Sequence, residues 1–392
     1  MLGGLRRVED LDSDPPPRGS RIVMVMDYHP SSVGGVQSHV RDLTRLLQDF
    51  GYDVVIVSRA LGKGDVKDLE AEGHYIVKPL FPLEIIFVPP DPSDLRREIE
   101  SLKPDVVHSH HIYTLTSLLA LKAARDLGLP RIATNHSIFL AYDKVALWRI
   151  ASIVLPTRYL LPNAQAVISV STAADKMVEG IVGDSVDRYI IPNGVDVERF
   201  KPSTPKADYP LVLFIGRLVW RKGAHVLVRA FRHVVDEIRD AKLYIGGKGE
   251  FEPILKLMIA RYNLENNVKM LGVVPESEKP SLYSSAWVTA VPSIVNESFG
   301  IVALESLSSG TPVVASRQGG LKDVVKHGKT GLLVKPGSSK ELAKALITLL
   351  QDSGLRKRMS EEARKIVLER YDWKKVVPQI LKVYGHYMEA MD

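Results

Sequence analysis

Two carboxylates, Glu297 and Glu305, stand eight residues apart in Asn296-Glu297-Ser298-Phe299-Gly300-Ile301-Val302-Ala303-Leu304-Glu305. Upstream, Val288 to Val291 reads as a strand closing at Pro292-Ser293, and the apolar spacing from Ile301 to Ser308 reads as a helix. Glu297 is therefore expected on a strand-to-helix loop. A helix starting near Gly300 leaves the amides of Gly300, Ile301 and Val302 unpaired, favoured by the helix dipole, with glycine permitting close approach; such a cradle takes an anion. Carboxylates repel a phosphate, so their expected role is to accept hydrogen bonds from hydroxyls flanking it, those of a sugar and a ribose. The arrangement suits a nucleotide-sugar.

Gly216-Arg217-Leu218-Val219-Trp220-Arg221-Lys222-Gly223 places Arg217 and Lys222 around a second strand-to-helix turn, where guanidinium and ammonium could neutralise a diphosphate. Alone the pair is equally compatible with solvated charges, although positive charge at a helix start opposes the dipole. With the cradle near Gly300, a shared diphosphate accounts for both sites. Gly34-Gly35-Val36 follows the first strand and could bring amides to phosphate or sugar. The full Gly-x-Gly-x-x-Gly pattern is missing, and an ordinary tight turn is the competing reading there and at Gly319-Gly320.

His108, His110 and His111 gather at one strand end and His136 at the next. A metal site is the alternative reading, but no carboxylate stands at suitable spacing, and alternation turns His111 away from His108 and His110. His136 is instead expected to hydrogen-bond the transferred sugar, with the other three shaping the floor beneath it. Asp-x-Asp pairs occur only as Asp10-Leu11-Asp12 and Asp12-Ser13-Asp14, near the N-terminus. The phosphate charge is thus assigned to Arg217, Lys222 and amides, without an obligatory metal.

The elements that must position these residues follow a strand-turn-helix alternation. It opens with Ile22 to Met26, Gly34-Gly35 and a periodic run from Gln37 to Asp49. Strands are predicted at Val54 to Val57, Tyr75 to Val77, Ile85 to Val88, Val106 to His108, Ile132 to Thr134 and Val167 to Val170. After Tyr189 to Asp196 and the Lys201 to Pro205 linker, the alternation restarts at Leu211 to Ile215, and it continues at Leu243 to Gly247, Val268 to Leu271, Val288 to Val291, Pro312 to Val314 and Gly331 to Val334. Helices are expected at Lys340 to Gln351, Leu355 to Glu369 and Trp373 to Met388. The predicted class is α/β, two doubly wound domains facing a central cleft: a flexible tail at 1–20, domains at 21–196 and 197–373, and a helix at 374–392 returning to the first domain. The run Lys144 to Tyr159 fits either an interfacial helix touching lipid headgroups or a buried connector.

The 392 residues, 45% hydrophobic and 25% charged, suit two or three soluble domains at roughly 100 to 200 residues each. The 52 basic against 46 acidic side chains leave +6, a modest bias toward anionic ligands or an anionic membrane surface. No basic run with interleaved aromatics or Cys/His finger spacing supports nucleic-acid binding. The absence of cysteine excludes disulfides and thiolate metal sites and suits a cytoplasmic setting, including the cytoplasmic face of a membrane. The first 20 residues lack a signal-peptide core, and no apolar run reaches the ~18 to 20 residues of a membrane span.

Together Gly34-Gly35-Val36, His136, Ile191-Pro192-Asn193-Gly194-Val195-Asp196, Gly216-Arg217 with Lys222-Gly223, and Glu297 with Glu305 resemble the family 4 glycosyltransferases, from about Arg21 onward. Gly35-Val36-Gln37-Ser38-His39-Val40, His108-Ser109-His110 and Leu218 to Gly223 look most like the catalytic subunit that adds N-acetylglucosamine to phosphatidylinositol. The resemblance implies a GT-B fold of two Rossmann-like domains. It also implies transfer from a UDP- or GDP-linked sugar with retention of configuration and no required cofactor or metal. The acceptor is left open, with a lipid or lipid-linked glycan foremost and peripheral membrane contact to match. By similarity, Arg217 and Lys222 stabilise the leaving diphosphate, Glu297 contacts the donor sugar, and Glu305 holds ribose hydroxyls. Amides of Phe299, Gly300, Ile301 and Val302 meet sugar and phosphate, and the base lies near Met270 and Leu271. His136 lies near the reacting carbon, and Gly35 borders the diphosphate. The rival readings are an epimerase or phosphorylase on the same scaffold, or a non-catalytic nucleotide-sugar-binding subunit; the last would be expected to lack one of Arg217, Lys222, Glu297 or Glu305.

Overall fold

The computed structural model describes residues 4–28, 34–61, 73–77, 89–138, 157–295 and 297–391. The chain divides into two compact units, one of residues up to Asn193 together with those from Lys374, the other Gly194–Trp373. The expected break after Asp196 therefore falls three residues earlier, after Asn193.

The N-terminal unit carries an all-parallel eight-stranded sheet in the order β1-β8-β7-β6-β5-β2-β3-β4. Its strands are β1 (Leu5–Arg6), β2 (Arg21–Tyr28), β3 (Asp53–Leu61), β4 (His74–Ile76), β5 (Val106–His110), β6 (Arg131–Asn135), β7 (Ala166–Ser169) and β8 (Asp187–Ile190). Strand β2 is central and buried along Ile22–Asp27, as a continuous apolar run covered on both faces should be. Val23, Val25, Val55, Val57 and Val107 pack against Leu95, Ile99, Ala120 and Ala124 of the covering helices Pro92–Leu102 and Leu115–Asp126. The first of these helices starts where it does because Asp91 accepts from the amides of Ser93 and Asp94, satisfying two first-turn donors.

The N-terminal segment is not the flexible tail expected from its prolines. Leu5–Arg6 adds a parallel strand to β8, Arg6 pairs with Asp187 at 2.9 Å, and Val8 and Leu11 are buried. Tyr52 donates to the carbonyl of Pro16, and Lys382 to that of Leu11. The aspartates Asp10, Asp12 and Asp14 nevertheless stay exposed. The helix Trp373–Glu389 contributes Tyr384 and Tyr387 to this unit, and a side chain on Gly385 would run into the carbonyl of Asp14. The predicted strand Ile85 to Val88 and all of the Lys144 to Tyr159 run before Thr157 lie outside the described residues; Thr157–Leu160 form a single helical turn.

The C-terminal unit is a six-stranded parallel sheet in the order β11-β10-β9-β12-β13-β14. It comprises β9 (Leu211–Ile215), β10 (Lys242–Gly246), β11 (Val268–Gly272), β12 (Val288–Val291), β13 (Val313–Ser316) and β14 (Gly331–Val334). Val212, Phe214, Leu243, Ile245, Val288, Ala290 and Val314 pack with Leu227, Phe231 and Val234 of the helix Ala224–Glu237 and with Leu342, Leu346 and Leu349 of Ser339–Gln351. Strand order reverses between β9 and β12 here and between β2 and β5 in the other sheet. Such switch points, at the carboxyl ends of the strands, are where doubly wound sheets leave room for ligands. No helix among the described residues is long and apolar enough to cross a membrane.

Candidate active site

In the C-terminal unit the turns leaving β9 and β12 meet. Trp220–Lys222 form one 3₁₀ turn after β9, and Gly223 follows in the left-handed region with φ of 74°. A Cβ at Gly223 would sit 2.0 Å from the carbonyl oxygen of Pro292, so only glycine lets the turns close. The amide of Ile294 then donates to the carbonyl of Arg221 at 2.7 Å. This contact carries Lys222 to Glu297: Nζ lies 2.6 Å from Oε2, and the Ser293 hydroxyl donates to the same oxygen at 2.8 Å. Burial alone would raise the Glu297 pKa, but the charge and hydrogen bond of Lys222, the bond from Ser293 and the charge of Arg221 hold it below the ordinary glutamate value. Glu297 is thus kept as a carboxylate. Among the described residues one donor of the Lys222 ammonium is engaged, leaving two for another anion.

The loop after Glu297 is held by the second glycine pair. The Gly320 amide donates to the Glu297 carbonyl at 2.9 Å, and a Cβ there would meet the Ser298 carbonyl oxygen at 2.2 Å. Gly320 is therefore a close-packing residue whose amide is already used. Gly300, at φ 98°, opens the helix Ile301–Ser308 with no side-chain cap. Among the described residues, the amides of Gly300, Ile301 and Val302 have no acceptor. Phe299 is 2% exposed with its ring 6.2 Å from that of Tyr371, so its side chain is core and only its backbone is available to a ligand.

Glu305, one helical turn into Ile301–Ser308, accepts a hydrogen bond from the Tyr283 hydroxyl at 2.8 Å. Burial raises its pKa, against the charge of Lys279 and the Tyr283 bond, which lower it. Tyr283 itself is fully buried. Arg217 is exposed after β9, and among the described residues its guanidinium has no partner. Met270 and Leu271 lie half-buried on the edge strand β11, Met270 packed against the core.

In the N-terminal unit Gly35 opens the helix Gly35–Asp49, exposed and with open space where a Cβ would be. His136 leaves the end of β6 on a turn fastened by Asn135, whose amide nitrogen donates to the carbonyls of Ser137 and Ala174 while its oxygen accepts from the Ser137 amide. His110 Nδ1 and His136 Nε2 are 3.2 Å apart, with the rings stacked. His108 is locked from both sides, Nδ1 at 2.6 Å from the Tyr384 hydroxyl and Nε2 at 2.7 Å from that of Thr134. The expectation for His111 is corrected: β5 ends at His110, His111 adopts φ of 84°, and its ring lies 5.7 Å from that of His136. Strand alternation does not extend through a left-handed residue.

His39, from the helix Gly35–Asp49, joins this group with its ring 4.8 Å from that of His136. Its signal in the sequence was only a histidine in the first turns of a helix that starts at a sheet's switch point. Burial depresses all five imidazoles, His39 and His111 to about 4 and His108 to about 3, and mutual repulsion adds to it at His108, His110 and His136. They are neutral at pH 7.

Residues 195–366 match the family described as glycosyl transferases group 1, and residues 33–199 match glycosyltransferase family 4. The chain is 33% identical over 374 residues to a phosphatidyl-myo-inositol mannosyltransferase of Mycobacterium leprae, covering 93% of this chain and 96% of the relative. The chain belongs to the family 4 glycosyltransferases. A further relative of this glycosyltransferase is a phosphatidylinositol N-acetylglucosaminyltransferase subunit of Arabidopsis thaliana, 29% identical over 323 residues, 78% of this chain and 69% of the relative. Anabaena HepE, solved in complex with UDP-glucose, superposes with a TM-score of 0.73 at 23% identity over 92% of this chain and 98% of its own. The two parallel-sheet α/β domains are those of the GT-B fold.

Proposed function

We propose that this glycosyltransferase moves a sugar from a UDP- or GDP-linked donor to phosphatidylinositol or a related lipid, with retention of configuration and without an obligatory metal or other cofactor. The observation that carries the donor assignment is the Lys222–Glu297 pair at 2.6 Å beside the uncapped amides of Gly300 to Val302. One ligand with both negative and hydroxyl-bearing parts satisfies the whole set: the diphosphate takes the amides, the spare Lys222 donors and Arg217, while sugar hydroxyls donate to Glu297. Glu305, steadied by Tyr283, is assigned to ribose hydroxyls, and the β11 segment at Met270 and Leu271 to the base. Gly35 is assigned to the diphosphate and His136, as a neutral imidazole, to the donor sugar. The leaving group gains negative charge as the glycosidic bond breaks, and cationic side chains and amides fixed in advance stabilise that charge without reorganising.

The lipid acceptor is supported by the names of two relatives, both of which act on phosphatidylinositol. A modest positive net charge suits an anionic lipid surface. The test is a thermal-shift comparison of nucleoside diphosphate sugars, in which the true donor raises the melting temperature. Labelled transfer from that donor to phosphatidylinositol vesicles follows, with and without EDTA. Labelled lipid in both arms is expected; a donor that stabilises but labels no lipid rejects the acceptor, and loss of transfer in EDTA restored by a divalent cation rejects metal independence.

A further inference from the structure

The geometry points to a transition-metal site in the N-terminal unit, formed by His39, His110 and His136, which would bind a borderline divalent cation such as Zn²⁺ or Co²⁺. One ligand atom from each of these three residues lies within 4.8 Å of the other two, and all three side chains are buried. They come from three separate elements: the helix Gly35–Asp49, the end of β5 and the turn after β6. The His110 Nδ1 to His136 Nε2 separation is already 3.2 Å, close to the about 3.3 Å that two imidazole nitrogens keep on one tetrahedral ion with ordinary zinc–nitrogen bonds. The third nitrogen, from His39, lies within 4.8 Å of both.

A second observation points to a ligand there. His110 is fully buried, and its Nε2 has no hydrogen-bond partner among the described residues. A buried ring nitrogen left bare is costly, and the cost falls when a half-turn of the ring brings Nε2 to the ion in place of Nδ1. The donor set is all nitrogen, without thiolate or carboxylate, which favours zinc, cobalt, nickel or copper over magnesium or calcium. Three protein ligands leave a fourth position for water.

Occupancy would hold the His136 ring on the ion and away from the donor sugar proposed for it, so the cation is an inhibitor, not a cofactor. This consequence alone rests on the function proposed above; the site itself does not. The experiment uses untagged, full-length protein dialysed against Zn²⁺ and, separately, titrated with Co²⁺ while the visible absorption of four-coordinate cobalt is followed. One equivalent bound by the wild type, with uptake reduced at least tenfold in His39→Gln and His110→Gln, is the expected result. His39→Gln keeps a polar side chain of similar size on the helix, and its melting temperature checks that loss of uptake is not loss of fold. Absence of stoichiometric uptake, or uptake unchanged in His39→Gln, overturns the site. Uptake without inhibition of transfer overturns the assignment of His136 to the sugar while leaving the metal site standing.

Discussion

Lys222 and Glu297, 75 residues apart, share a 2.6 Å ion pair between the carboxyl ends of β9 and β12, with side chains only 21% and 12% exposed. The pair is preformed: Lys222 helps to hold Glu297 as a carboxylate, and each side chain restrains the other before a ligand arrives, which lowers the ordering that binding requires. A double-mutant cycle with Lys222→Ala and Glu297→Gln should show a coupling of about 1 to 3 kcal/mol in unfolding free energy. Each single variant should lose about 10²- to 10³-fold in transfer, in line with removal of one preorganised group facing developing charge. Additive stability effects, or near-normal turnover in either variant, would reject the role given to the pair.

Gly223→Ala tests the contact between the two turns. The new Cβ meets the Pro292 carbonyl oxygen at 2.0 Å from a backbone already at φ 74°, so the loops must separate. A loss of about 3 kcal/mol or more is expected, against about 1 kcal/mol for Gly128→Ala, which has a similar φ of 70° but open space around it. Equal losses in chemical denaturation would show that backbone strain alone, and not the contact, explains the glycine.

Tyr283→Phe removes the hydroxyl that Glu305 accepts at 2.8 Å without opening a cavity. The donor KM should rise about two- to tenfold, the worth of one hydrogen bond, with kcat little changed. A fall in kcat with donor KM unchanged would place Glu305 away from ribose binding.

The two glutamates should give opposite pH signatures. Glu297 is held below the ordinary value of 4.5, so its contribution to stability is complete above that pH and is lost as pH falls through its lowered pKa. Glu305 is raised above 4.5 by burial, so the folded protein binds its proton more tightly and stability falls as pH rises through the window above 4.5. Melting temperatures from pH 3 upward should therefore show that Glu297→Gln removes part of the acid-side loss, whereas Glu305→Gln gains relative to wild type as pH rises. Parallel profiles for the two variants would contradict both assignments.

Much of the fold was legible in the order of residues alone. Continuous apolar strands such as Val54 to Val57 and Leu211 to Ile215, each followed by glycine-bearing turns and helical periodicity, have few alternatives to a parallel sheet covered on both faces. The same local logic placed Glu297 on a loop and Gly300 at a helix start, because turn chemistry and capping are decided within a few residues. What periodicity could not reach was decided by sheet order. Crossover connections bring the ends of β9 and β12 together, and with them Lys222 to Glu297, while the helices on either side of β12 bring Tyr283 to Glu305. Leu5–Arg6 became a strand only because the edge of β8 offers it hydrogen bonds, which two residues with no alternating pattern cannot advertise. His39 joined His110 and His136 for the same reason: the helix after β2 and the ends of β5 and β6 are neighbours in the sheet and strangers in the chain. The residue types and the local turns were set by the sequence itself, whereas their partners were set by which strands lie side by side.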